Sequence, residues 1–71
     1  MKKIQIIIGS PIDYEELVAY IIVDGINIAL LNQDEGKDKI KIVFFEEAKS
    51  IDIHFDVFVA ALEEAKRELM K

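Results

Sequence analysis

Apolar residues recur along this chain with two different periods. From Ile4 to Phe45 they come in short runs with few polar interruptions, separated by turn residues and read by twos as strands, and from Phe55 to Met70 they return at helical spacing. Lys3 to Ile8 predicts a first strand, with Ile4, Ile6 and Ile8 on one side and Lys3, Gln5 and Ile7 on the other. Its β-branched run suits a pleated surface. Gly9-Ser10-Pro11 breaks the strand, and Asp13 to Glu16 forms a polar approach with room for one helical turn. A second strand from about Glu16 to Val23 and a third from Ile26 to Leu31 meet at Asp24-Gly25. A two-residue Asp-Gly loop favours the type I′ turn, which makes Val23 and Ile26 cross-strand partners on one face.

Counting outward from that turn by twos assigns side chains to faces. Leu17, Ala19, Ile21, Val23, Ile26, Ile28 and Leu30 fall together, while Val18, Tyr20, Ile22, Ala29 and Leu31 fall opposite, with Asn27 the clearly polar member. The polar connection from Asn32 to Asp38, in which Gly36 is free to take a positive φ, leads to a fourth strand. There Ile40, Ile42 and Phe44 extend the first face, and Lys39, Lys41, Val43 and Phe45 extend the second. Glu46 to Ser50 predicts a polar loop, and Ile51 to Ile53 a short extended piece.

The helical segment carries a stripe of Phe55, Phe58, Val59, Leu62, Ala65 and Leu69, with Asp56, Glu63, Glu64, Arg67 and Glu68 away from it. Glu63 and Arg67 stand at i,i+4 in the favourable order, and Asp56 and Lys71 suit the helix dipole. The expected fold is α+β, β-β-β-β-α: a four-stranded antiparallel sheet with one C-terminal amphipathic helix packed on one face. Phe58, Val59 and Leu62 are expected against Ile6, Ile21, Ile28 and Ile42. The first strand has two places open to it, beside the second in a meander or beside the fourth.

At 71 residues the chain predicts one domain, near the size at which a hydrophobic core alone suffices. It has no cysteine, and its single histidine has no histidine neighbour for a metal site, so self-association remains as the extra support. A hydrophobic content of 52% beside 32% charged residues marks an ordered chain rather than a disordered one. The net charge of −5 argues against nucleic-acid binding, which needs clustered Lys and Arg. Met1-Lys2-Lys3 before Ile4 to Ile8 superficially suggests a signal peptide, but Gln5 interrupts the apolar run and Gly9-Ser10-Pro11 ends it. No apolar stretch of ~20 residues could span a membrane. An uncleaved cytoplasmic protein with no membrane association is the expectation.

Candidate chemistry is sparse. His54 between Asp52 and Asp56 has the makings of a carboxylate-oriented base, yet at the helix start it reads as a capping or solvated residue. Ser10 lacks the flanking glycines of a nucleophile elbow. Asp34-Glu35-Gly36-Lys37-Asp38 lacks the spacing and the twelfth-position glutamate of a calcium loop, and reads as a solvated hairpin tip. The three glycines are too scattered to cradle phosphate. No catalytic, cofactor-binding or metal-ligating residue is therefore predicted.

What remains is the surplus of apolar side chains on the outward face. Ile7, Val18, Tyr20, Ile22, Ala29, Leu31, Val43 and Phe45 are predicted as an interface, with Lys3, Lys39 and Lys41 as its wetter rim. The expected occupant is another protein, or a second copy forming a homodimer when that partner is absent. The alternative is a small enzyme or ligand-sensing domain with a pocket near the helix start, using His54 and a nearby carboxylate.

The run Ile26 to Gly36, INIALLNQDEG, followed after a strand by Asp56 to Lys66, DVFVAALEEAK, resembles small bacterial single-domain proteins of uncharacterised or immunity type, in which a few strands precede a terminal helix. The resemblance covers roughly the last two thirds of the chain in pattern. It implies a stoichiometric binder, of the kind that blocks a toxin with an acidic surface, and carries over no functional residue.

Overall fold

The computed structural model describes residues 3–71, so Met1 and Lys2 of the amino-terminal basic pattern lie outside the described residues. Four strands, β1 (Ile4–Gly9), β2 (Val18–Val23), β3 (Ile26–Asn32) and β4 (Lys41–Phe44), precede a helix, α1 (Phe55–Leu69). The strands form one antiparallel sheet in the order β1-β2-β3-β4. This is the meander, and β1 and β4 are its edges. Residues 13–16 form a turn and a bend rather than a helical turn. Glu46–Ser50 is a short 3-10 helix rather than an open loop, closed by the Ser50 hydroxyl donating to the Glu47 carbonyl at 3.0 Å.

The Asp-Gly turn is as its residues require. Asp24 and Gly25 both have positive φ, 51° and 83°, and Val23 pairs with Ile26. The Asp24 carboxylate also accepts the Lys3 backbone N–H at 2.8 Å, fastening the start of β1 to the turn. Alternation holds from there through β2 and across to β1, where Ile4, Ile6 and Ile8 stand opposite Val23, Ile21 and Ala19.

On β3 the alternation fails. Ile22 is opposite Asn27 but Ile21 is opposite Ala29, so Ile28 is an extra residue and the ladder carries a β-bulge. Every side chain after it changes face. Ala29 and Leu31, expected on the outward face, lie in the core with Ala61, Ala65 and Leu69 of α1. Leu30, expected in that core, turns outward between Tyr20 and Val43. The Ile28 carbonyl accepts the Phe45 N–H at 2.9 Å, so β4 is aligned on the strand after its correction. The sheet is thus crossed by two helix-side rows, Ile6-Ile21-Ala29-Phe44 and Ile8-Ala19-Leu31-Ile42, and by one outer row, Ile7-Tyr20-Leu30-Val43.

The helix meets the sheet through a stripe set differently from the expected one. Ala61, Ala65 and Leu69 are buried, with Phe58 and Leu62 partly buried beside them. Two alanines on this stripe, facing a layer that includes Ala19 and Ala29, allow a close approach. Phe55 is instead 79% exposed, and Val59 is half-buried outside the core. α1 packs chiefly on β1 and β2. The helix-side surface of β4 is consequently open, with Ile42 exposed and Phe44 60% exposed. Phe44 has one aromatic neighbour, Phe58, with ring centroids 6.3 Å apart. Leu17 and Ile26, also expected in the core, are exposed. Glu63 and Arg67 form no ion pair, whereas Glu68 and Lys71 do, at 2.8 Å.

Candidate protein-interaction face

No helix lies on the outer face, which is built from the middle of each strand. Ile7 on β1, Tyr20 on β2, Leu30 on β3 and Val43 on β4 share one cross-strand row, and Ile22 and Phe45 stand near it. Ile7 is 47% exposed, while Tyr20, Ile22, Val43 and Phe45 are half-buried. Leu30 and Val18 are enclosed within the chain itself, at 3% and 0% exposure, without joining the helix-side core. Tyr20 contributes by lying flat. A Cβ built on Gly9 would come within 2.9 Å of its Cε2, so the absence of a side chain at Gly9 is what lets the ring rest on β1.

Of the eight residues predicted for this face, the structure brings Ile7, Val18, Tyr20, Ile22, Val43 and Phe45 to it or its margin. Ala29 and Leu31 belong to the opposite layer for the reason given by the bulge, and Val18 is too deeply enclosed to offer surface. Leu30 was missed. An extra residue within an otherwise apolar strand leaves no mark in the spacing, although the pair Asn27-Ile28, a polar residue followed by four apolar ones, is where the alternation itself ends.

The acidic loop is committed to holding the chain together. Asp34 accepts the backbone N–H groups of Glu15 at 3.3 Å and Glu16 at 2.9 Å, and its own N–H is bound by the Asn32 side chain at 2.8 Å. Gln33, buried, donates from Nε2 to the Leu17 carbonyl at 3.1 Å. Glu35 pairs with Lys41. Together these clamp the segment before β2 to the end of β3. Gly36 takes the positive φ its residue type allows, 124°.

His54 is the residue capping the amino-terminal end of α1, exposed, with no hydrogen bond from its side chain to the helix. Among the described residues no group of three or more His, Asp or Glu side chains is placed to hold a metal ion. A groove of about 290 Å³ does open between α1 and β4, floored by Leu31, Ile40, Ile42 and Leu62, with Lys37, Asp38, Glu63 and Lys66 around it. It lies along the middle of the helix. His54 does not line this groove, whose wall comes from the loop from Lys37 to Ile40 and not from the approach to the helix. Among the described residues no helix is long and apolar enough to cross a membrane. The chain matches no protein-family model, no curated protein and no solved structure, so the reading of this face rests on its own geometry.

Proposed function

We propose that this chain is a non-enzymatic protein-binding module that docks a partner protein on the outer face of its sheet. The observation that carries the reading is the row Ile7-Tyr20-Leu30-Val43, apolar across all four strands, with Ile7 exposed, Tyr20 and Val43 half-buried and Leu30 enclosed among them. Its centre is pre-ordered: Leu30 is already packed and the Tyr20 ring is seated on Gly9. A surface fixed in advance loses little side-chain freedom on binding. Tyrosine and phenylalanine at Tyr20 and Phe45 suit an interface centre, where a ring gives large contact area at small entropic cost. The net charge of −5 favours a partner with a basic surface and gives the encounter a salt-dependent rate. The immunity-type resemblance agrees with such a stoichiometric blocker, and a cysteine-free chain suits the bacterial cytoplasm.

Affinity capture in the native host, followed by calorimetry with the purified partner, tests the reading. Wild type is expected to bind one partner stoichiometrically, with affinity falling at least about tenfold in Tyr20→Arg and in Ile22→Lys. A partner bound equally well by wild type and both variants would overturn the assignment of this face.

A further inference from the structure

The two edges of the sheet are built differently. β4 has four residues, is preceded by Lys39 and carries Lys41 in an ion pair with Glu35. Shortness and charge are devices that discourage edge-to-edge pairing. β1 has neither. Its six residues, Ile-Gln-Ile-Ile-Ile-Gly, include no charge and no proline, and its register with β2 is unbroken.

The free hydrogen-bonding row of β1 can be identified. The Lys3 carbonyl accepts the Asp24 N–H at 2.8 Å, so Lys3 turns its backbone groups toward β2. Antiparallel ladders alternate, which turns Gln5, Ile7 and Gly9 the same way and directs the N–H and C=O of Ile4, Ile6 and Ile8 to the open edge. We infer that this edge takes a second copy of the chain, paired antiparallel about a two-fold axis at Ile6, and makes one continuous sheet of the two. In that register Ile6 meets its own copy and Ile4 meets the partner's Ile8, each pair exchanging both its bonds. The arrangement is self-complementary and places no charge inside the ladder.

The helix supports the same occupant. α1 packs on β1 and β2, and strands lie ~4.8 Å apart, so the two-fold axis would set the helices side by side at ~10 Å, within helix-packing distance. Leu62, Glu63 and Lys66 line the groove toward β4, and Ala61, Ala65 and Leu69 face the sheet. The flank left toward β1 carries Val57, Ala60, Glu64 and Glu68. Val57 is an exposed apolar residue with no other role in the fold, and Ala60 is small enough for close approach. Strand pairing and helix contact add main-chain bonds and apolar contact at one continuous interface, of the small size class. Glu64 and Glu68 of both copies share this flank, and Glu68 is offset by Lys71. Added salt therefore strengthens the association.

The inference stands apart from the outer face, and sedimentation velocity from about 5 to 300 µM separates the two. Ile8→Pro removes an edge N–H that serves no bond among the described residues, and Ile8→Lys places a charge beside the partner's Ile4. Wild type is expected to pass from monomer to dimer, with both Ile8 variants raising the dissociation constant at least about tenfold while keeping the native circular dichroism. If proline disturbs the fold, the lysine variant decides. A wild type monomeric throughout, or a dimer indifferent to both Ile8 variants, overturns the edge pairing and leaves the outer-face reading to partner capture. A dimer lost only in Tyr20→Arg also overturns it, and moves the second copy to the outer face.

Discussion

β2 and β3 leave the same two-residue turn and obey different rules. β2 alternates without interruption from Val23 to Val18, and its pairing with β1 keeps the same register throughout. β3 alternates only as far as Asn27, admits Ile28 as an extra residue, and continues with its faces exchanged. A turn specifies register from its own end of a hairpin, but a strand remains free to change phase wherever tertiary packing favours it. Here the change delivers Ala29 and Leu31 to the helix, where small and large side chains interleave with Ala61, Ala65 and Leu62. β3 also meets the 3-10 helix at Glu46–Ser50, and Ala48, Ile51 and Ile53 pack against the core that Ile28 joins.

The largest expected effect tests which face Ala29 occupies. Ala29→Asp sets an unpaired carboxylate in the helix-side layer, where Ala29 has 0% exposure, and the domain is expected to lose its cooperative thermal transition by circular dichroism. A variant that melts like wild type would return Ala29 to the outer face and abolish the bulge. Single-residue deletions sharpen the same contrast. Removing Ile28 leaves an ordinary ladder with all later side chains on their present faces, so a folded protein is expected, destabilised by ~1.5–3 kcal/mol for the lost burial. Removing Ile22 exchanges the faces of Ala19 and Ile21 and is expected to prevent folding.

A smaller effect distinguishes Leu31 from Leu30. Both are 3% exposed, and truncating either to Ala should cost ~2–5 kcal/mol. Only Leu31 lines the groove with Leu62, so Leu31→Ala and Leu62→Ala should couple by at least ~0.5 kcal/mol, while Leu30→Ala and Leu62→Ala add within that margin. Urea denaturation of the double-mutant cycles reads the difference, and equal coupling for both leucines would contradict the exchange of faces. The smallest effect lies at the open end of the hairpin. Asp34→Ala frees the N–H groups of Glu15 and Glu16, which water can reach, and should cost about 1 kcal/mol with the register of β2 and β3 retained. Amide hydrogen exchange that rises near Glu16 but stays slow at Ile21 would match; faster exchange along the whole hairpin would show that the clamp, and not the turn, holds the register.

Strand and helix identities were legible because each depends on neighbouring residues. The β-branched run of β1, the positive φ demanded at Asp24-Gly25 and the helical recurrence of Phe58, Leu62, Ala65 and Leu69 are local signals, and the α+β order followed from them. The helix stripe was legible only to within a residue or two. Phe55 and Val59 fit the same periodicity as Phe58 and Leu62, and nothing local says that Ala61 rather than Val59 faces the sheet. Of the outer face, the members on β1, β2 and β4 could be counted from the turn and from their own alternation. Those on β3 could not, since Ile28 through Leu31 are apolar without a break and either phase buries equally greasy side chains.

The amino-acid sequence by itself determined the elements, the type I′ turn and the antiparallel connection, because turn geometry and hydrophobic period act over a few residues. Tertiary structure decided the phase of β3 and the offset of α1 over β1 and β2, and with them the row Ile7-Tyr20-Leu30-Val43, the groove beside β4 and the bare edge of β1. These depend on volumes meeting across the fold. Ala19, Ala29, Ala61 and Ala65 are distant in sequence, and their joint smallness becomes a close helix-to-sheet contact only once the chain has brought them together.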